Sequence, residues 1–195
     1  MLTLTDGSRN VAIGGYSMAM NQGTTADSSV DNVFIGYNSG GGSWTAAESN
    51  QNTAVGKNSM GGQLAGAIAN AAFGYDALFG LTTGDSNTAI GWSALNKTVN
   101  GGRNVAVGQG ASLENTSGDY NVALGNQAMS ANTTGGSNLA IGHVALGSNT
   151  KGNYNVGVGH SALTVTTTGA RNTALGYGAI DYPDTEDDNL AIGSD

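Results

Sequence analysis

The stretch Asn87-Thr-Ala-Ile-Gly91-Trp-Ser-Ala-Leu95 decides how this chain is read, because its opening returns seventeen residues later as Asn104-Val-Ala-Val-Gly108 and again as Asn121-Val-Ala-Leu-Gly125. The same start, Asn followed by a variable residue, a small one (usually Ala), an apolar one and Gly, occurs at Asn10, Asn32, Asn52, Asn70, Asn87, Asn104, Asn121, Asn138, Asn155, Asn172 and Asn189. Successive spacings are 22, 20 and 18 and then 17 seven times, a fixed period that marks a stacked repeat architecture. With each Asn taken as position 0, position +4 is Gly in all eleven copies, and a second Gly stands at −3 in seven of them. Gly adopts left-handed backbone without steric cost, so Gly at fixed phase predicts a bend at fixed phase. The two bends divide each coil into two arms of strand length. The first arm carries an apolar, mostly branched residue at +3 and a small one at +2; the second opens with Ser or Ala at +7, usually followed by a long apolar residue at +8, as in Ala94-Leu95 and Ala128-Met129. Apolar residues that recur once per coil, and not every 3.6 residues, predict an all-β parallel β-solenoid with ~17-residue coils.

Composition agrees with that architecture and excludes others. Leu, Ile, Val and Phe make up 35 of 195 residues, too few for an ordinary globular core, yet 10% charged residues is also too few for a solvated disordered coil. The absence of Cys excludes disulfides, thiolate zinc sites and thiol nucleophiles. The six basic residues are scattered singly, so no patch matches a run of phosphates, and nucleic acid is not an expected partner. No apolar run approaches the ~18 residues of a membrane span, and Met1–Asp6 has neither the basic start nor the apolar stretch of a secretion signal. Residues 1–69, with insertions at 23–29 and 40–48, read as irregular coils, and 70–195 as regular ones of one continuous repeat domain.

Stacking lines up equivalent side chains. Asn70, Asn87, Asn104, Asn121, Asn138, Asn155 and Asn172 are expected to form an axial amide ladder, and Gly74, Gly91, Gly108, Gly125, Gly142, Gly159 and Gly176 to form the turn column. Each coil offers only two or three sizeable apolar side chains, against roughly 1 to 2 kcal/mol of backbone entropy per ordered residue. Association of identical rods would supply the missing burial, and the small residues at +2 and +7 suit close approach of backbones or chains.

Asn87-Thr-Ala-Ile-Gly-Trp-Ser-Ala-Leu95, Asn172-Thr-Ala-Leu-Gly-Tyr-Gly-Ala-Ile180 and linkers such as Thr133-Thr134-Gly135 resemble the head repeats of trimeric autotransporter adhesins and the similar repeats of phage tail fibres. The resemblance covers essentially the whole chain. It implies a homotrimeric, left-handed parallel β-roll on a virion or bacterial cell surface, extracellular, which carries a binding tip or itself attaches to a host surface. The 17-residue period departs from the shorter adhesin-head repeat and favours the tail-fibre group. Both ends of the sequence fall inside the repeat, which is expected of a segment of a longer fibre or of rods that stack end to end.

Position +5 carries Tyr37, Tyr75, Trp92, His143, His160 and Tyr177, an expected outward stripe. Aromatic faces beside amides are suited to sugars, so Trp44, Tyr75, Trp92, His143, His160 and Tyr177 are candidate glycan-binding residues, with coverage of a neighbouring coil or chain as the structural reading. Trp44, in the Gly-rich insertion, is the best single candidate. Asp184–Asp188 is an acidic cluster that either binds Ca²⁺ or forms a solvated corner; it lacks the spacing of a dedicated calcium loop. Gly159-His160-Ser161 lacks the second Gly and the following helix of a nucleophile turn, so no catalytic residue is assigned. The expected function is a non-enzymatic structural and adhesive fibre. The alternatives are an ice-binding solenoid, for which the Thr columns at +1 and −4 are broken, a self-assembling filament, or a polysaccharide-degrading spike.

Overall fold

The computed structural model describes residues 9–18, 28–42, 44, 47–180 and 185–194. Each coil contributes one three-residue strand, at +1 to +3: β1 (Val11–Ile13), β2 (Val33–Ile35), β3 (Thr53–Val55), β4 (Ala71–Phe73), β5 (Thr88–Ile90), β6 (Val105–Val107), β7 (Val122–Leu124), β8 (Leu139–Ile141), β9 (Val156–Val158), β10 (Thr173–Leu175) and β11 (Leu190–Ile192). They pair in parallel, in sequence order, as a single eleven-stranded sheet. The register is in phase, Ala89 opposite Ala106 and Ala106 opposite Ala123, so the chain is a parallel β-solenoid.

Among the described residues the expected second strand per coil is not there. The second arm does hydrogen-bond along the axis, Ser93 N–H to Tyr75 O at 2.9 Å and Leu95 N–H to Ala111 O at 3.0 Å. Its residues at +6 and +8 nevertheless take left-handed backbone, as with Ser93 (φ 55°) and Leu95 (φ 50°), and a chain alternating in that way coils instead of extending. The two Gly columns also have different causes. At +4 the backbone is left-handed (Gly91, φ 134°) and ends the strand, whereas the described Gly residues at −3, from Gly84 to Gly169, do not have positive φ. There the constraint is close approach: a Cβ on Gly101 would lie 2.6 Å from Gly118 O in the next coil.

The pleat places +2 inward and +1 and +3 outward. Ala at +2, Ala at +7 and Leu or Met at +8 form three buried columns, represented by Ala89, Ala94 and Leu95. The small residues at +2 and +7 therefore serve packing inside one coil, not contact between chains. Phe34 is the large exception at +2, and Gly40 accommodates it at +8, where a Cβ would lie 2.6 Å from the Phe34 ring. Trp44 completes that layer. It is fully buried, edge-on to Phe34 at 5.6 Å between ring centroids, and its Nε1–H donates to Gly40 O at 2.9 Å. This overturns its reading as an exposed glycan platform: the insertion folds its one large apolar side chain into the core.

The Asn column is buried, and its amides run the length of the sheet. Asn121 Oδ1 accepts from Asn138 N–H (3.0 Å) and Asn138 Nδ2 (3.1 Å), while Asn121 Nδ2 donates to Gly135 O (2.8 Å). The amide thus ties each strand to the −3 corner of the following coil. A second buried ladder lies at −6, where Leu64 and Leu81 give way to Thr98, Asn115, Asn132, Asn149 and Thr166. Asn132 Nδ2 donates to Asn115 Oδ1 (2.9 Å) and Asn149 Nδ2 to Asn132 Oδ1 (3.0 Å). Axial hydrogen bonds thus join the three Asn of this column, whereas the buried hydroxyls of Thr98 and Thr166 on either side of them have no partner.

Candidate functional site

Alternation through the strand sends −1, +1, +3 and +5 to the outer side, so one broad face carries four axial columns. The central two, +1 and +3, are overwhelmingly apolar. Ile13, Phe73, Ile90, Val107, Ile141, Leu175 and Ile192 are all exposed at +3, with half-buried Val105, Val122, Leu139 and Val156 beside them at +1. Ten strand intervals of ~4.8 Å make this strip on the order of 50 Å long.

The +5 column is exposed, with Trp92 at 55% and Tyr177 at 60%. Lys57 Nζ sits 5.9 Å from the Tyr37 ring and 5.7 Å from that of Tyr75, joining the two through cation–π contacts. His143 stacks on His160 at 4.9 Å between centroids, and His160 on Tyr177 at 5.1 Å. Neighbouring rings in these coils therefore cover one another and leave their edges to solvent. Trp92 has no such stack. Its upper neighbour is Gln109, and Gly110 leaves the +6 position empty, which opens a cleft of about 420 Å³ lined by Trp92, Gln109, Gln127 and Glu114 among others. The Glu114 carboxylate is held by Lys97 Nζ at 2.7 Å, so the cleft is an indole face with neutral amides and no unpaired charge beside it. Of the sequence-derived aromatic candidates, Tyr75, Trp92, His143, His160 and Tyr177 lie on this stripe, and Trp92 lines a cleft.

The −1 column supplies the opposite border. Arg9 pairs with Asp31 (2.5 Å), Arg171 pairs with Asp188 (2.6 Å) and Asp187 (3.1 Å), and the Arg103 guanidinium lies 5.2 Å from the Tyr120 ring centroid. Hydrogen bonds from Arg9 and Arg171 hold the Asp31 and Asp188 carboxyls below the usual carboxylate range. A carboxyl depressed in the folded state stabilises it above the unfolded-state value and loses that contribution as pH falls through the folded value. Acidification below the ordinary carboxylate range is therefore expected to release these two exposed corners with little change in global stability, read as a change in the Arg171 Nε–H resonance in an NMR titration.

Asp187 also accepts the Ala170 N–H through Oδ1 at 2.7 Å. The acidic segment is in this way part of the corner chemistry of the solenoid; Asp184 lies outside the described residues, as do residues 23–27 of the first insertion and 43, 45 and 46 of the second. Among the described residues no group of three or more His, Asp or Glu side chains is arranged to hold a metal ion, and no helix is long and apolar enough to cross a membrane.

Two features of this surface escaped the sequence reading. One is a Thr column at −5, where Thr116, Thr133 and Thr150 each donate Oγ1–H to the carbonyl of the next Thr in the column. Those hydroxyls bond within the rod. The other is an alternation at −2 and −1 with a period of two coils: Asp119-Tyr120 and Asn153-Tyr154 alternate with Gly102-Arg103, Gly136-Ser137 and Ala170-Arg171. A comparison made one coil at a time treats such a column as merely variable.

No protein-family profile, no curated protein and no solved structure matches this chain.

Proposed function

We propose that the chain is a segment of an extracellular fibre, on a virion tail or a bacterial surface, in which three copies associate through the outer sheet face into a rod that attaches to host-surface glycan without catalysing a reaction. The observation that carries the assembly is the double apolar column at +1 and +3. A strip on the order of 50 Å long and ~10 Å wide approaches the largest apolar patches that monomers leave in water, and here its +3 column is apolar in all eleven coils and bordered by polar and aromatic columns. That anatomy, an apolar centre within a polar rim, is that of a protein interface. Identical chains are the natural occupants, because a face with an axial repeat matches another copy in the same repeat. The adhesive part of the reading is supported by the Trp92 cleft, whose exposed ring and amides suit the C–H faces and hydroxyls of a sugar.

Light scattering is expected to give a concentration-independent mass of about 58 kDa, three chains of 19.3 kDa. Val107→Lys combined with Leu124→Lys puts two charges at the centre of the face and is expected to give a folded species of one-third that mass. A wild-type chain that stays monomeric at high concentration overturns the assembly, and a mass that grows without limit replaces it with filament formation.

A further inference from the structure

The two-coil alternation at −1 builds a slot. Tyr120 and Tyr154 stand on either side of Ser137, all three with the same left-handed backbone (φ 58°, 58° and 59°). Their backbones are about 9.6 Å apart, two intervals of ~4.8 Å. Gly136 and Ser137 put no bulk between them, and the space has a volume of about 380 Å³. Both rings are exposed, Tyr120 at 56% and Tyr154 at 64%. Arg103 lies over Tyr120 from the preceding coil, the side away from the slot, so the ring is held from behind. The polar groups are fixed as well: Asp119 Oδ1 accepts from Gly102 N–H and Asn153 Oδ1 from Gly136 N–H, each at 2.7 Å. The hydroxyls of Ser137 and Thr134, which also line the space, have no partner among the described residues.

We infer that this slot binds one neutral hexopyranose unit of a polysaccharide, held between Tyr120 and Tyr154 with its hydroxyls directed to Asp119, Asn153 and Ser137. A flat aromatic ligand in van der Waals contact with both walls needs only about 7 to 8 Å between them. The volume of about 380 Å³ and the two-coil spacing of the walls leave room for a puckered sugar ring with its axial hydrogens. Asp119 brings a negative charge with no cation inside the slot, which favours hydroxyl donors and disfavours sialic acids and uronates. The inference rests on the adhesive reading above and adds to it a second site, on the opposite border of the sheet face from Trp92.

The experiment uses the full chain on an array of neutral gluco-, galacto-, manno- and N-acetylhexosamine oligosaccharides together with sialylated and uronate-containing ones, followed by calorimetric titration of the strongest ligand. Ser137→Tyr is the deciding variant. The −1 column already accommodates Tyr in the coils before and after, so the substitution fills the slot without disturbing the fold. It is expected to weaken binding of a neutral sugar at least tenfold, with Tyr120→Ala doing likewise, while the mass and circular dichroism stay those of the wild type. If Ser137→Tyr binds as the wild type does and Trp92→Ala does not, the adhesive reading stands and the slot falls. If the wild type binds only anionic sugars, the slot also falls; if it binds none, both readings fall. A Ser137→Tyr protein that loses its assembled mass shows the slot to be part of the chain–chain interface and overturns its assignment to sugar.

Discussion

Asn121→Ala is expected to lower the melting temperature by about 10 °C. The side chain is buried, and its removal strands two backbone groups that have no route to water: the Asn138 N–H that its Oδ1 accepts and the Gly135 carbonyl to which its Nδ2 donates. A buried polar group left without its partner costs about 1 to 3 kcal/mol, so the pair costs about 2 to 6 kcal/mol, and a chain of this length loses roughly 2 to 4 °C per kcal/mol. The loss is directional. Asn121 connects its own coil to the one that follows, so amide exchange should rise first at Asn138, whose N–H loses its acceptor. Asn121→Asp sharpens the test, since it preserves an acceptor for Asn138 N–H but offers the Gly135 carbonyl a charged oxygen in place of a donor. It is expected to be as harmful as Ala at neutral pH and milder under acid, where the protonated carboxyl can donate again. A shift of under about 2 °C for Asn121→Ala would mean that packing, and not the amide ladder, holds the coils.

The Asn column and the Gly column at +4 were legible in the sequence because one residue type answers each of those demands at every turn. What lay beyond reach was decided by residues that solve a common problem in different ways. At +8 the chain takes left-handed backbone with Leu78, Leu95, Met129 and Leu163, none of which announces such a conformation. The strain, about 1 to 2 kcal/mol for an L-residue, is met repeatedly by axial hydrogen bonds that only stacking provides. The second arm therefore looked like a strand, having a strand's spacing and its apolar content. At −6 the column runs from Leu through Thr to Asn, and its continuity exists only in space: Asn115, Asn132 and Asn149 bond to one another, while Leu64 and Leu81 belong to the apolar core. Trp44 misled for a related reason. Its Gly-rich neighbours signal a loop, and the sequence carries no sign that Gly40 left a space in the core that Phe34 and Trp44 together would fill.

Of the candidate site, the +5 stripe was legible as an outward column, since Gly at +4 fixes its phase. The cleft at Trp92 was not, because it depends on an omission: Gly110 stands where the adjoining coils have Ser93 and Gln127. The Tyr120–Tyr154 slot likewise depends on what Ser137 lacks. In a solenoid the scaffold is written by the residues that repeat, and concave surface is written by the coils that depart from the repeat toward smaller side chains.

That distinction predicts opposite outcomes for substitutions of the same type. Gly91→Ala and Gly101→Ala are each expected to cost more than about 4 kcal/mol, or to prevent folding, because a Cβ at either position would lie 2.6 Å from a carbonyl oxygen of the next coil (Gly108 O and Gly118 O). Neither can relax, since the oxygen belongs to backbone whose position is fixed by the same stacking bonds. At Gly91 the backbone angle of 134° adds strain for any side chain; at Gly101 the clash acts alone. Gly110→Asn is the contrasting case. Its φ of 62° is close to the values that Ser93 and Gln127 hold at the same phase, and the nearest atom to an added Cβ is Gln127 Cγ at 3.7 Å. Asn tolerates left-handed backbone and restricts the unfolded chain more than Gly does, so the change is expected to stay within about 1 kcal/mol of the wild type. Urea denaturation of the three variants checks all of these together. If Gly101→Ala proved as benign as Gly110→Asn, the −3 column would not be set by close approach of successive coils, and the axial spacing of the whole rod would have to be larger than the one described. If Gly110→Asn proved as harmful as Gly91→Ala, the Trp92 cleft would be a structural necessity of that coil and not surface left free for a ligand.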